Sequence, residues 1–205
     1  MVEIVGIGPG NPDYLLPIAK MKIEKAKFLV GGKRALATFA KNGQQTFPIT
    51  KDIDAVLRFI TEHKDSVCVV VSGDPGFYSL LDNIREKFSN DEIEVIPGVS
   101  SLQMAFSKIN LPWHDAKMLS FHGRVPQDED LEFENNKILG MLTDGVYHSR
   151  KIAEILLNFN WNQKSKFIVF ERLSYENEKI TAMTLEEALN GEPISHGVII
   201  VYEGE

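Results

Sequence analysis

Three apolar runs that each stop at a glycine-bearing turn constrain this fold more than any other feature. The first is Ile4-Val5-Gly6-Ile7-Gly8-Pro9-Gly10. The second is Val69-Val70-Val71-Ser72-Gly73-Asp74-Pro75-Gly76-Phe77-Tyr78, and the third Val95-Ile96-Pro97-Gly98-Val99-Ser100-Ser101. A β-branched run ending in Gly and Pro reads as a buried strand halted by a tight turn. Helical periodicity separates the runs, and strands alternating with helices build parallel sheets with right-handed crossovers. Three such turns then gather at the carboxyl-end edge of one sheet, where open α/β sheets bind ligands. An α/β protein with a prebuilt small-molecule site is the expectation.

The pattern predicts strands over 2–7, 28–30, 67–71 and 93–96. It predicts helices over 12–26, 33–41, 52–64, 76–88 and 99–109, the third of these with Ile53, Val56, Leu57 and Ile60 on one face. Asn110-Leu111-Pro112-Trp113 breaks the alternation, so a domain junction is placed there: a parallel-sheet α/β domain over 1–112 and a mixed α+β domain over 113–205. In the second half, strands are predicted over 118–121, 137–142, 167–171, 179–182 and 197–202, and helices over 148–159 and 185–189. The acidic stretch 127–134 reads as a solvated loop.

A formal net charge of -7 argues against a primary role on nucleic acid, which needs a basic surface. The single cysteine, Cys68, lies within an apolar run and reads as a core residue rather than a disulfide partner. No apolar stretch approaches the ~20 residues of a membrane span. Because the first strand begins at Val2, no signal peptide is expected, and a cytoplasmic location follows. His63, His114, His122, His148 and His196 show no metal-ligand spacing. There is no GxSxG elbow, and no residue is singled out as catalytic.

The first turn is not a dinucleotide fingerprint. Its third glycine position holds Asn11, and Pro9 removes a backbone donor. The second predicted strand ends in Gly31-Gly32-Lys33, where a ribose-binding acid would be needed. In the middle turn, Gly73 and Gly76 allow close approach of backbone to ligand. Asp74 has two readings there: a carboxylate facing a ribose hydroxyl or a ligand cation, or the N-cap of the next helix. Ser100 and Ser101 likewise either cap the following helix or face a ligand. Ser120-Phe121-His122-Gly123-Arg124 sets a titratable and a fixed cationic group at a strand end. It is either a site for substrate carboxylates or an ordinary polar loop.

Taken together, Gly6-Ile7-Gly8-Pro9-Gly10 with Asn11-Pro12-Asp13-Tyr14-Leu15, then Ser72-Gly73-Asp74-Pro75, then Pro97-Gly98-Val99-Ser100-Ser101, resemble the tetrapyrrole methylases. Glu171-Arg172-Leu173 and the final strand continue the likeness along nearly the whole chain. Ser72 to Leu80, Leu111-Pro112-Trp113-His114-Asp115-Ala116 and Ser120 to Arg124 are similar to the branch that methylates C5 of a corrin precursor in cobalamin biosynthesis. The resemblance implies S-adenosylmethionine as cofactor, held in the cleft between two domains. It implies cofactor contacts at Pro9, Ser72, Gly73, Asp74, Phe77, Ser100, Ser101, Leu142, Leu173 and His196. Tyr14, Lys33, Arg34, His122 and Arg124 are the candidates for an anionic tetrapyrrole. A homodimer is implied too, with C15 methylation and decarboxylation left to a separate protein. An Asp that helps catalysis in some uroporphyrinogen methylases aligns with Gly32 and is not carried over. Two alternatives differ in class: a family member with another acceptor such as diphthine, a different precorrin or RNA, and a non-catalytic module that binds the donor or a tetrapyrrole.

Overall fold

The structure is a computed structural model that describes residues 1–204. The chain divides into two compact units, Met1–Ser100 and Ser101–Glu205. The division falls ahead of the Asn110–Trp113 segment at which the sequence pattern changes, so the helix before that segment groups with the second unit.

The first unit runs β1 (Val2–Gly6), a 3-10 turn (Pro12–Tyr14), α1 (Pro17–Lys25), β2 (Phe28–Gly31), α2 (Lys33–Phe39), β3 (Gln45–Pro48), α3 (Ile53–Glu62), β4 (Val67–Val71), α4 (Leu81–Arg85) and β5 (Ile93–Ile96). Its sheet has the order β3-β2-β4-β1-β5, and every pairing is parallel. Parallel strands are covered on both faces, which is why β4 is an unbroken apolar run with all five residues buried. On one face, Val2, Ile4, Val67 and Val69 pack with Val56, Leu57 and Ile60 of α3. On the other, Val5, Leu29, Cys68 and Val70 pack with Ala19, Ile23 and Leu36.

Two expectations for this unit are corrected, and one strand is added to it. Residues 12–26 are not one helix. Proline disfavours the α region for the residue before it, and Leu16 before Pro17 is extended, with ψ 141. The segment is therefore a 3-10 turn capped by Asn11, followed by a separate helix. The helix expected over 76–88 is only α4. Tyr78 sits at φ 50, and Ser79 Oγ donates to the Pro75 carbonyl, so the chain turns before helix begins. Finally, β3 has too little apolar alternation to be read from sequence. It is an edge strand that ends on Pro48, where a missing donor costs no ladder bond.

The second unit runs α5 (Ser101–Lys108), β6 (Ala116–Ser120), α6 (Asp128–Leu131), β7 (Ile138–Leu142), α7 (Ser149–Asn158), β8 (Lys166–Glu171), β9 (Lys179–Thr184), α8 (Leu185–Asn190) and β10 (Gly197–Tyr202). The sheet order is β6-β7-β10-β8-β9; β6 and β7 are parallel and the other pairs antiparallel. One face packs Leu139, Met141, Val169 and Ile199 against Ile152, Leu156 and Leu185. The other receives α5: a Cβ on Gly140 would stand 2.9 Å from Phe106 and 3.0 Å from Leu102. The stretch read as a solvated acidic loop contains α6, because Leu131 is buried and its carbonyl accepts the Trp161 indole N–H at 2.8 Å.

Candidate functional site

Two sheet edges collect the residues singled out in the sequence. At the carboxyl-end edge of the first sheet, the turns after β1, β4 and β5 interlock. Gly8 N donates to Gly73 O at 3.2 Å, and Gly73 N donates to Gly8 O at 2.8 Å. Gly6, Gly73 and Gly98 stack so closely that side chains are excluded. A Cβ on Gly98 would lie 2.2 Å from Gly73 O, and one on Gly6 would lie 2.6 Å from it.

Asp74 locks the arrangement. Its Oδ1 accepts the Gly76 N–H at 2.7 Å and its Oδ2 accepts the Gly98 N–H at 2.9 Å. The carboxylate is thus neither a plain helix cap, since α4 starts at Leu81, nor a free side chain. It joins the second turn to the third. Ser72 is exposed beside it, Phe77 and Pro9 are half-buried, and Ser100 is buried. Tyr14, on the 3-10 turn, and Lys33 and Arg34, which open α2 after β2, are exposed near the same ends of the strands. Ser101 begins α5 and belongs to the second unit.

The second sheet has a corresponding edge. Ser120, Leu142, Val198 and Phe170 form one cross-sheet row. The ends of β6, β7 and β8 and the start of β10 therefore lie together, bringing His122, Leu142, Leu173 and His196 to one edge. Thr143 holds β7 to β10: its Oγ1 donates to Gly197 O at 3.0 Å and accepts the Gly197 N–H at 2.8 Å. Next to it, Asp144 accepts the N–H groups of Val146, Tyr147 and Gly123 at 2.8, 2.7 and 3.0 Å. These bonds, Tyr147 first and then Gly123, hold its carboxyl below the usual aspartate range. His122 Nδ1 stands 3.4 Å from Thr143 O. Arg172, Ser174 and His196 all have positive φ, at 50, 75 and 58. Strained non-glycine backbone of this kind clusters at functional sites. One Glu171 carboxylate oxygen is buried and takes no hydrogen bond among the described residues.

Sequence reasoning missed Thr143 and Asp144. The signal was available, since Thr-Asp-Gly directly after an apolar run is turn chemistry. The sequence marks Gly6 and Gly98 as turn formers, and the structure shows them as an interlocked pair.

Interlocked glycine turns on a parallel sheet, followed by a second mixed sheet, make an α/β protein with ligand-binding strand ends, and the chain belongs to the tetrapyrrole methylases: the profile of the Tetrapyrrole (Corrin/Porphyrin) Methylases matches residues 1–189. Among its relatives, the probable cobalt-precorrin-7 C(5)-methyltransferase of Methanocaldococcus jannaschii is 32% identical over 212 residues, spanning 100% of this chain and 99% of that protein. The cobalt-precorrin-7 C(5)-methyltransferase of Salmonella typhimurium is 31% identical over 204 residues, spanning 99% of this chain and 100% of that protein. The crystal structure of the precorrin-6Y methylase from Archaeoglobus fulgidus superimposes with a TM-score of 0.74 at 25% identity, covering 100% of this chain and 98% of that one. The uroporphyrin-III C-methyltransferase of Thermus thermophilus, crystallised with S-adenosylhomocysteine, shares the fold with a TM-score of 0.80 at 23% identity, covering 98% of this chain and 91% of that one.

Proposed function

We propose that this protein is an S-adenosylmethionine-dependent C-methyltransferase that methylates C5 of cobalt-precorrin-7 or precorrin-6Y in cobalamin biosynthesis. The observation that carries the reading is the likeness, over 99–100% of both chains, to relatives bearing that activity in their names.

The first edge fits the donor in chemistry and shape. Three stacked glycines lock the turns after β1, β4 and β5 together there, and Ser72 and the rim of the Asp74 turn offer polar partners for ribose and amino-acid groups. In this proposal Pro9, Ser72, Gly73, Asp74, Phe77, Ser100 and Ser101 hold the donor. Leu142, Leu173 and the backbone near His196 take its adenine. Bound S-adenosylmethionine supplies a sulfonium methyl that is already electrophilic, so the protein need not build a nucleophile. The chain's task is to orient an electron-rich ring carbon in line with that methyl, and positioning of this kind supplies much of the acceleration. Lys33, Arg34, His122 and Arg124, with Tyr14, pair with the acceptor's carboxylates and fix which ring carbon is presented.

The same reading holds that the protein works as a cytoplasmic homodimer. It leaves C15 methylation and decarboxylation to a separate protein, because the relatives matched over their full length are named for C(5) alone. The experiment is turnover with labelled donor against a panel of acceptors: cobalt-precorrin-7, an earlier precorrin and diphthine. Label in cobalt-precorrin-7 alone supports the proposal. Label in another acceptor, or donor binding without turnover, overturns it.

A further inference from the structure

Asp144 is not among the residues expected to touch either ligand, yet its carboxylate accepts three backbone N–H groups at the second edge. Its Oδ1 takes the N–H groups of Val146 and Tyr147 and so folds its own turn. Its Oδ2 reaches across to the loop after β6 and takes the Gly123 N–H at 3.0 Å. Gly123 lies between His122 and Arg124, the two groups proposed to meet the acceptor. A second link runs alongside: the Phe121 and Tyr147 rings pack with centroids 5.2 Å apart. On the far side, His122 Nδ1 is 3.4 Å from Thr143 O. The loop that carries both groups is thus fastened to the turn after β7 on each side of His122.

We propose that Asp144 is a positioning residue for the acceptor: through Gly123 it sets where His122 and Arg124 stand. This rests on the reading that those two side chains bind the acceptor's carboxylates. A charge-assisted hydrogen bond is about twice as strong as a neutral one and fixes its donor's direction. Gly123 is exposed and has φ 69, so its own backbone preference adds little to hold the loop.

Asp144→Asn separates the tether from the turn. An asparagine oxygen in the Oδ1 place keeps the bonds from Val146 and Tyr147, while its NH₂ then faces the Gly123 N–H, donor against donor. Two measurements on the full-length protein read the result. The first is amide hydrogen exchange at Gly123, Val146 and Tyr147. The second is steady-state methyl transfer to cobalt-precorrin-7, with donor affinity measured separately by calorimetry. The expected outcome is faster exchange at Gly123 alone and a rise in acceptor KM of about tenfold, the size of one lost charge-assisted bond. The kcat at saturating acceptor and the donor Kd stay within about twofold, below the change that loss of one hydrogen bond would cause. Asp144→Glu, which restores a carboxylate, recovers part of the KM. Unchanged Gly123 exchange, or faster exchange with an unchanged acceptor KM, overturns the role of Asp144. A fall in kcat and donor affinity together overturns it as well, since that marks a general loss of structure. Wild-type protein that neither binds nor methylates the corrinoid overturns the functional reading, and this role with it.

Discussion

Gly6, Gly73 and Gly98 set how closely the turns after β1, β4 and β5 pack. Gly98→Ala would drive a methyl group into the Gly73 carbonyl at 2.2 Å, and backbone cannot move aside as a flexible side chain can. Overpacking of this kind costs about 1–3 kcal/mol or more. Thermal unfolding of Gly98→Ala should therefore come well below wild type, and calorimetry should show donor binding lost. Gly32 is the contrast: an added Cβ meets nothing within 4 Å there. Gly32→Ala should stay within about 0.5 kcal/mol of wild type, as surface substitutions do. Asp74→Ala removes acceptors for two backbone donors and should cost about 1–3 kcal/mol by chemical denaturation. At this scale the sequence marks Gly73 and Gly76 for close approach of a ligand, whereas the close approach in the structure is of Gly6, Gly73 and Gly98 to one another. It could not show that Asp74 bonds to Gly98, because a tether of 24 residues along the chain leaves no local signature.

Strand pairing brings two carboxylates side by side. Glu3 on β1 is in register with Glu94 on β5, and Lys22 of α1 reaches both, at 2.7 and 2.6 Å. Hydrogen bonds to Glu3 first, and then to Glu94, raise the Lys22 ammonium from its ordinary 10.5 to about 12. A raised lysine pKa stabilises fully below 10.5, and that contribution is lost only as pH climbs through about 12. Stability should therefore be insensitive to Lys22 titration at neutral pH. Lys22→Met leaves the two carboxylates facing each other without a cation. We expect a loss of about 1–2 kcal/mol at pH 7, reduced by partial solvent screening. Chemical denaturation of the two proteins at pH 7 measures this gap; a Lys22→Met variant as stable as wild type would contradict the account.

Asp144 shows the opposite sign. Its depressed carboxyl contributes stability above the ordinary aspartate pKa of about 3.9, and loses it as pH falls further. Most elements were legible because hydrophobic period and burial agree, as in α3 and β4. The exceptions share a cause. In α1, α4, β3 and α6, local proline, positive φ or a tertiary contact overrides propensity, as Leu131 under Trp161 does.

For the molecule as a whole, a formal net charge of -7 argues against a broad basic surface for nucleic acid. The family was legible from three turns taken together. The acceptor was not, because the exposed Lys, Arg and His side chains proposed to meet ring carboxylates have no fixed spacing along the chain. Sedimentation of the purified protein should give twice the 23.1 kDa chain mass if the proposed homodimer forms, and a single chain mass would remove that part of the reading. The central claim concerns one carbon. Purified protein given ¹³C-methyl donor and cobalt-precorrin-7 should yield a single enriched methyl resonance assigned to C5, with none at C15. Enrichment at any other ring carbon, or no enrichment under conditions where the donor is bound, would contradict it.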